Sequence, residues 1–304
     1  MRKNKKPTSL LNPLYWPAWT ALGLLWCITR LPFCLQFVIG QGIGRLLYLI
    51  PSQFKMITKI NLANAYKDLA AKNRRILAKK NFASVGLGLI EAGMAWWLPN
   101  KKLANHYQLH GMEHLEKAYA KGKGVILLAP HSTCIEIIGR LLGMHYTFGV
   151  MYYPHKKPFI AFIHEHFRKK HYVNYIPRQD IRQLLRTLQQ NTAVWYAYDI
   201  DGGRKRSLFA PFFGVQTASL TALSRIVSLS EAAVVPISYY RRDNQFFYDV
   251  TLSPALENFP SSDPLADVSR LNLILEEIIR KKPEQYVWQY KRFKTRPKGE
   301  KRFY

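Results

Sequence analysis

Residues 124–129 form an uninterrupted apolar run, Gly-Val-Ile-Leu-Leu-Ala, that ends at Pro130 and is followed by His131. The run is shorter than an ordinary helix, and its composition is typical of a strand that is buried on both faces. Strands of this kind occur mostly in parallel sheets that helices cover on both sides. The run therefore predicts an α/β architecture.

Comparable segments alternate with helix-like ones along the remainder of the chain. Further strands are predicted over residues 147–153, 193–198, 232–239 and 246–252, the last antiparallel to its neighbour. Apolar residues at helical spacing predict helices within residues 51–100, over Ile135–Leu142, and around residues 181–188 and 268–279. We therefore predict a mixed sheet flanked by helices.

The N-terminal residues are apolar with a basic start. After the basic segment Arg2–Lys6, residues 7–29 carry no charge, and residues 31–44 are again uncharged after Arg30. A helix needs about 20 apolar residues to cross a bilayer, and the first stretch reaches that length only with its Pro, Ser and Asn residues. We predict a membrane anchor at residues 1–50, either a membrane helix or a helical hairpin, followed by one domain at residues 51–304. A helical hairpin buried in the core is the alternative.

The charge of the chain is strongly positive. There are 45 Lys and Arg residues against 19 Asp and Glu residues, a net charge of +26. Such a field favours nucleic acid, anionic lipid headgroups or a phosphorylated substrate. Three cysteines cannot form a fully paired disulfide framework, which favours a cytosolic location for the main body.

The segment that follows the apolar strand has the residues for acid–base chemistry. His131, at the carboxyl end of the strand, is well placed to act as a general base, and Glu136 follows five residues later. If His131 lies on a turn and Glu136 in the first helical turn, the carboxylate can orient the imidazole. Alternatively, Thr133 and Glu136 form a capping box with no chemical role. No G-x-S-x-G nucleophile motif is present, which favours direct attack by an acceptor hydroxyl group over an acyl-enzyme.

Further segments follow in a characteristic order. They are Arg74-Arg75-Ile76 with Glu91-Ala92-Gly93-Met94-Ala95-Trp96-Trp97, Tyr175-Ile176-Pro177-Arg178-Gln179-Asp180, Trp195-Tyr196-Ala197-Tyr198-Asp199-Ile200-Asp201, residues 207–214, Pro283-Glu284-Gln285-Tyr286-Val287-Trp288 and residues 292–297. Together with His131 and Glu136, they resemble the lipid A biosynthesis acyltransferase family, the late lauroyl/myristoyl transferases that use acyl-carrier-protein donors. The resemblance covers nearly the whole chain.

The resemblance implies a glycerolipid-acyltransferase-like sandwich and an enzyme on the cytoplasmic face of the inner membrane. Such an enzyme acylates a hydroxyl group of Kdo-modified lipid IV(A) and uses no metal, nucleotide or other cofactor. By position, His131 becomes the base and Glu136 its partner. The groups expected to line the substrate site are Arg168, Arg178, Asp199 and Asp201. The basic cluster Arg204-Lys205-Arg206 is a further candidate for contact with the substrate or the acidic donor.

Two positions depart from the family pattern. Tyr152-Tyr153-Pro154 stands where Tyr-Arg-Pro is common, so one guanidinium is missing, and Lys156 and Lys157 can replace its charge but not its bidentate geometry. Tyr198 stands where proline is usual.

Three alternatives stay open. The enzyme could acylate another phosphorylated glycolipid, such as a mannosylated phosphoinositide. The net charge alone would also suit a nucleic-acid-binding protein at a membrane surface. Asp199 and Asp201 could hold a divalent ion as an Asp-x-Asp pair.

Overall fold

The computed structural model describes Leu10, residues 12–153, His155 and residues 157–304. Its helices are α1 (Trp16–Ile28), α2 (Phe33–Leu49), α3 (Gln53–Ala65), α4 (Ala71–Trp97), α5 (Asn100–Leu103), α6 (Met112–Tyr119), α7 (Ile135–Leu142), α8 (Pro158–Arg168), α9 (Ile181–Gln189), α10 (Ala222–Ser230) and α11 (Pro264–Lys281). Its strands are β1 (Tyr107–His110), β2 (Val125–Ala129), β3 (Phe148–Tyr152), β4 (Tyr175–Pro177), β5 (Ala193–Ala197), β6 (Ser207–Phe212), β7 (Val215–Leu220), β8 (Ala233–Arg241) and β9 (Tyr248–Leu252).

Seven of the strands form one mixed sheet in the order β1-β9-β8-β2-β5-β3-β4. The neighbours from β8 to β4 pair in parallel, whereas β9 is antiparallel to β8, as predicted, and β1 is parallel to β9. β6 and β7 form a separate antiparallel hairpin. The prediction of a mixed α/β sheet flanked by helices is confirmed, while the likeness to glycerolipid acyltransferases stays a prediction.

The central strand β2 separates two hydrophobic cores. Ile126 and Leu128 point into one core, which helices α9, α10 and α11 complete. Val125 and Leu127 point into the other core, which contains apolar residues of α4 and α7. Alternate residues of a strand face opposite sides of a sheet, so the continuous apolar run is explained by burial on both faces.

Helices α2 and α4 pack with their backbones in contact. A Cβ atom on Gly44 would lie 2.1 Å from the carbonyl oxygen of Phe82, and one on Gly86 would lie 2.1 Å from that of Gly40. Only glycine permits this approach, because any side chain would have to displace the backbone of the other helix. The boundary predicted at residue 50 remains a prediction, but α2 packs directly on α4 of the main body.

The N-terminal helices leave much apolar surface uncovered. No residue of α1 is buried, and only one face of α2 is, through Gln36, Gly40, Gly44 and Tyr48. Among the described residues, no single helix has both the length and the apolar character to cross a membrane. Helices α2 and α3, bent by 89°, meet that criterion only as a pair. The predicted basic start, Arg2–Lys6, lies outside the described residues.

The segment of residues 283–296, here called the C-terminal strap, runs back across the molecule to the carboxyl end of β2. The backbone N–H of Thr133 donates to Gln285 O (2.8 Å), and that of Val287 donates to His131 O (3.2 Å). Two buried amides, Asn61 and Asn81, each donate to two carbonyl oxygens of the strap. The strap therefore forms one wall of the loop that contains His131.

Candidate active site

His131 and Asp199 meet at the carboxyl edge of the sheet. β2 pairs with β5 so that Ala129 lies opposite Ala197, and His131 and Asp199 are each the second residue beyond. The Nδ1 atom of His131 lies 2.6 Å from Oδ1 of Asp199, and the backbone N–H of His131 donates to Oδ2 at 3.1 Å. The carboxylate therefore fixes both the main chain and the ring of the histidine.

The electrostatics of this pair suit a base. Burial disfavours the imidazolium and so lowers the pKa of His131. The charge and hydrogen bond of Asp199 outweigh this effect and raise that pKa above 6.5. Burial also disfavours the charged form of Asp199 and on its own would raise its pKa. His131 and the hydroxyl group of Tyr286 outweigh burial and hold the pKa of Asp199 below 3.8. The Asp199 side chain is only 2% exposed, whereas 41% of the His131 side chain is exposed. With Nδ1 engaged, Nε2 is the ring nitrogen left for a substrate.

Glu136 has different partners from those expected. Its carboxylate forms a bidentate ion pair with Arg168, through Nε at 3.0 Å and Nη2 at 2.6 Å, and accepts a hydrogen bond from Trp96 Nε1 at 3.1 Å. The expectation that Glu136 orients His131 is therefore wrong, since Asp199 does so. The capping-box alternative is also wrong, because the side chain of Thr133 bonds to Ser84 and that of Glu136 turns toward α8.

The Glu136–Arg168 pair is ionised. Burial acts to raise the pKa of Glu136, but Arg168 holds it below 4.5, and Glu136 in turn raises the pKa of Arg168. His164, one turn before Arg168 on α8, has its pKa lowered to about 4, first by burial and then by the charge of Arg168. His164 is therefore neutral near pH 7. The positive charge of Arg168 also acts on His131, so the two pairs belong to one site.

The other sequence-predicted residues lie around this centre with separate partners. Asp201 accepts hydrogen bonds from the backbone N–H (2.7 Å) and hydroxyl group (2.8 Å) of Thr295, and Arg204 donates to Arg296 O at 2.9 Å. Both therefore hold the C-terminal strap. Because Asp199 and Asp201 engage different groups, the structure gives no support to an Asp-x-Asp ion site. Arg178 lies over the ring of Tyr153. Of the basic residues expected nearby, Lys157 is exposed, and Lys156 lies outside the described residues.

A buried polar network behind the loop was not predicted. Arg241 donates to Glu91 Oε1 (2.6 Å) and to Ser84 Oγ (2.7 Å), and the Ser84 hydroxyl group lies 2.7 Å from that of Thr133. Gln285 of the strap accepts from the backbone N–H of Arg241 at 2.8 Å. Glu91 and Gln285 belong to the segments that resemble the acyltransferase family. Only tertiary packing shows that they meet beneath residues 131–134. Cys134 in this loop is fully buried, and burial raises the pKa of its thiol to about 12.

The arrangement has the features of an enzyme. Ligands of α/β sheets bind beyond the carboxyl ends of parallel strands, and here a partly exposed imidazole, a buried carboxylate and a fixed guanidinium meet at that edge. The chain belongs to the bacterial lipid A biosynthesis acyltransferase family, whose sequence profile it matches over residues 3–295. The family suggested by the sequence is confirmed, and the chain is an acyltransferase that transfers groups other than aminoacyl groups.

The chain resembles several members of this family over more than nine-tenths of their length. It is 32% identical over 296 residues to the lipid A biosynthesis lauroyltransferase of Escherichia coli K12, covering 97% of each chain. It is 32% identical over 295 residues to the lipid A biosynthesis palmitoleoyltransferase of the same strain, covering 97% of this chain and 96% of the relative. Against the myristoyltransferase of that strain it is 23% identical over 294 residues, covering 96% and 91%.

Proposed function

We propose that this enzyme moves a fatty acyl group from acyl-carrier protein to a hydroxyl group of Kdo-lipid IV(A) or a related lipid A precursor. The observation that carries the proposal is the His131–Asp199 pair, in which Asp199 engages Nδ1 of the ring and leaves Nε2 for a substrate, while the charge of Arg168 acts on the same histidine. A hydroxyl group is a poor nucleophile until a base takes its proton, and a raised-pKa imidazole suits that step.

The chemistry follows from these groups. His131 Nε2 accepts the proton of the acceptor hydroxyl group while the oxygen attacks the carbonyl carbon of the acyl thioester. The new ester C–O bond forms, the C–S bond breaks, and the proton on His131 passes to the departing thiolate. Asp199 stabilises the intervening imidazolium, since its carboxylate lies 2.6 Å from Nδ1.

Arg168 is the group that stabilises the negative charge of the proposed reaction. Glu136 holds the guanidinium bidentately in one orientation, and Trp96 fixes the carboxylate in turn. A cation that is already in place stabilises the negative charge that develops on the thioester carbonyl oxygen without reorganisation. Glu136 thus acts through Arg168.

Features of the surface support a site at the inner membrane. Twelve large apolar side chains are exposed between residues 14 and 56: Leu14, Trp16, Leu24, Trp26, Leu31, Leu35, Val38, Leu46, Leu49, Ile50, Phe54 and Met56. Helices that lie in the interface bury such side chains among the acyl chains, and a net charge of +26 attracts anionic headgroups and an acidic donor. The positive net charge of the protein was the only support for a nucleic-acid partner. Binding to anionic lipid accounts for the same charge.

The reaction is tested with detergent-purified protein, labelled acyl-carrier-protein donor and Kdo-lipid IV(A), with product measured by mass spectrometry. We expect His131→Ala and Glu136→Ala to lower turnover by about 10²-fold or more, since general acid–base groups contribute 10²–10⁴. The matched control is His110→Ala, an exposed histidine at the end of β1.

Two results would contradict the proposal. Full activity in both variants would remove these residues from the chemistry. Acylation of a phosphoinositide mannoside, but of no lipid A precursor, would favour the alternative acceptor.

Membrane docking is tested separately by co-sedimentation with phosphatidylglycerol and phosphatidylcholine vesicles. Leu24→Asp places a charge on the exposed face of α1 and should weaken binding, whereas Leu265→Asp on α11 is the control. Anionic vesicles should bind more protein, and salt should reduce the difference by screening. Equal loss in both variants would contradict an N-terminal docking surface.

A further inference from the structure

Tyr153 and Arg178 face each other at the same edge of the sheet as His131. β3 pairs with β4 so that Tyr152 lies opposite Pro177, and Tyr153 and Arg178 are the first residues beyond the two strands. The backbone N–H of Arg178 donates to Tyr152 O at 2.8 Å, and its guanidinium carbon lies 4.3 Å from the centre of the Tyr153 ring. The ring holds the guanidinium by a cation–π contact.

Among residues 12–153 and 157–304, no carboxylate or carbonyl oxygen forms a hydrogen bond or ion pair with the Arg178 side chain, which instead contacts the Tyr153 ring. The nearest acidic residue in sequence, Asp180, has its Oδ1 engaged 3.0 Å from the backbone N of Gln183, where it caps α9. Tyr153 is 53% exposed. An arginine with five N–H donors and no acceptor, stacked on an exposed ring, is suited to bind a planar or tetrahedral anion bidentately.

The support beneath the pair is rigid and reaches the catalytic centre. Tyr152 and Tyr175 stack with ring centres 3.6 Å apart and planes 7° from parallel. Burial raises the pKa of Tyr175, and the hydrogen bond and charge of Arg168 oppose that rise only in part, so Tyr175 connects the stacked rings to Arg168.

We propose that Tyr153 and Arg178 form a subsite for an anionic group of the acceptor, a phosphate or a sugar carboxylate. The inference rests on the proposed function and names how that acceptor is held. The strand order β2-β5-β3-β4 sets the distance from His131, since neighbouring strands lie about 4.8 Å apart. Two to three strand spacings place the anion roughly 10–15 Å from the reacting hydroxyl group. A disaccharide headgroup spans such a distance, so the subsite orients the acceptor while His131 activates one hydroxyl group.

The test separates the acceptor KM from kcat for the wild type and variants at these two positions. Arg178→Ala should raise the KM for Kdo-lipid IV(A) about tenfold, the loss expected for a charge-assisted hydrogen bond, and leave kcat and the donor KM unchanged. Arg178→Lys should not restore it, because an ammonium lacks the fork geometry. Tyr153→Phe should behave as wild type and Tyr153→Ala should resemble Arg178→Ala. Arg186→Ala, an exposed arginine on α9, is the matched control.

Acceptors that lack one anionic group show whether Arg178 binds the sugar carboxylate or a phosphate. If the ligand is the sugar acid, removal of Kdo makes wild type and Arg178→Ala equal; if it is a phosphate, the monophosphorylated acceptor does so. An unchanged KM in Arg178→Ala, or an equal rise with every acceptor, would overturn the subsite. Binding of Kdo-lipid IV(A), followed by tryptophan fluorescence without donor, gives the same comparison independently of turnover. Absence of turnover by the wild type would therefore count against the proposed reaction alone.

Discussion

At the scale of single residues, the pair His131–Asp199 sets how the proposed reaction depends on pH. The base must be neutral to accept a proton, and Asp199 raises the pKa of His131 above 6.5. We therefore expect kcat to rise with pH through a midpoint above 6.5. In Asp199→Asn the charge is lost while burial, which lowers the pKa, remains. The midpoint should fall below 6.5 and the plateau should drop about 10²-fold or more. pH–rate profiles of kcat measure both.

The control for this prediction is Asp201→Asn. Asp201 bonds to Thr295 of the strap, whereas Asp199 bonds to His131, so the Asp201 variant should keep the midpoint of the wild type. A midpoint that stays in place in Asp199→Asn would show that the titrating group is not His131.

The ion pair of Glu136 with Arg168 supports a second prediction. Glu136→Gln removes the bidentate carboxylate and leaves a partly buried guanidinium without its counter-charge, which should cost about 3 kcal/mol in the free energy of unfolding. Arg168→Lys should lose most of the enzymatic activity, because a lysine ammonium cannot form the bidentate pair with both carboxylate oxygens of Glu136. Urea unfolding and turnover assays measure the two effects. Glu165→Gln, which breaks an exposed pair with Lys169 just beyond the end of α8, should leave both quantities unchanged.

The sequence could supply the residues of this site but not their pairing. His131 and Glu136 stand in one short motif and Asp199 in another, each next to an apolar strand. The hydrogen bond between His131 and Asp199 depends on β2 and β5 being neighbours in a register that sets Ala129 opposite Ala197. Strand order results from packing of the whole sheet, and no local pattern encodes it.

At the scale of elements, the glycines between α2 and α4 make a third prediction. Gly44→Ala should destabilise the protein by about 1–3 kcal/mol, because the new methyl group meets backbone atoms of Phe82 and Ala83. Gly42→Ala lies on the same helix with nothing within 4 Å, and should stabilise it by about 0.5–1 kcal/mol through helix propensity. Thermal unfolding in detergent measures both. Equal behaviour of the two variants would mean that the helices are not in close contact.

Elements with a strong apolar pattern were predictable, and short ones were not. Helix α7 has the predicted bounds, Ile135–Leu142, and β2, β3 and β5 lie within one residue of theirs at each end. Strand β4 has only three residues and β1 only four, which is too few for a period to be visible. The hairpin of β6 and β7 was not predicted, since Pro211 and Gly214 are typical of turns and obscure the alternation expected of strands. The approach of α2 to α4 depends on both helices at once.

At the scale of the whole molecule, the C-terminal strap joins parts of the chain that are far apart in sequence. Asn61→Asp removes the amide that donates to Trp288 O and Tyr290 O, both at 2.7 Å, and sets a carboxylate against two carbonyl oxygens. The unsatisfied buried groups should cost about 1–3 kcal/mol and release the strap. We expect lower turnover and faster trypsin cleavage after Lys291 and Lys294, measured by limited proteolysis.

A matched variant is present one helical turn later. Asn64 donates only to Ile60 O within α3, so Asn64→Asp should leave cleavage and turnover near wild type. Cleavage that is equally fast in both variants would show that the helix, and not the strap, has been loosened.

The strap also has a consequence for synthesis of the protein. The loop with His131 is finished by hydrogen bonds from residues that the ribosome adds more than 150 positions later. A nascent chain, or one shortened by a premature stop codon before residue 283, has the histidine and its aspartate but no wall behind them. Such a product should be inert, because the loop that contains His131 lacks the hydrogen bonds to the strap that complete it.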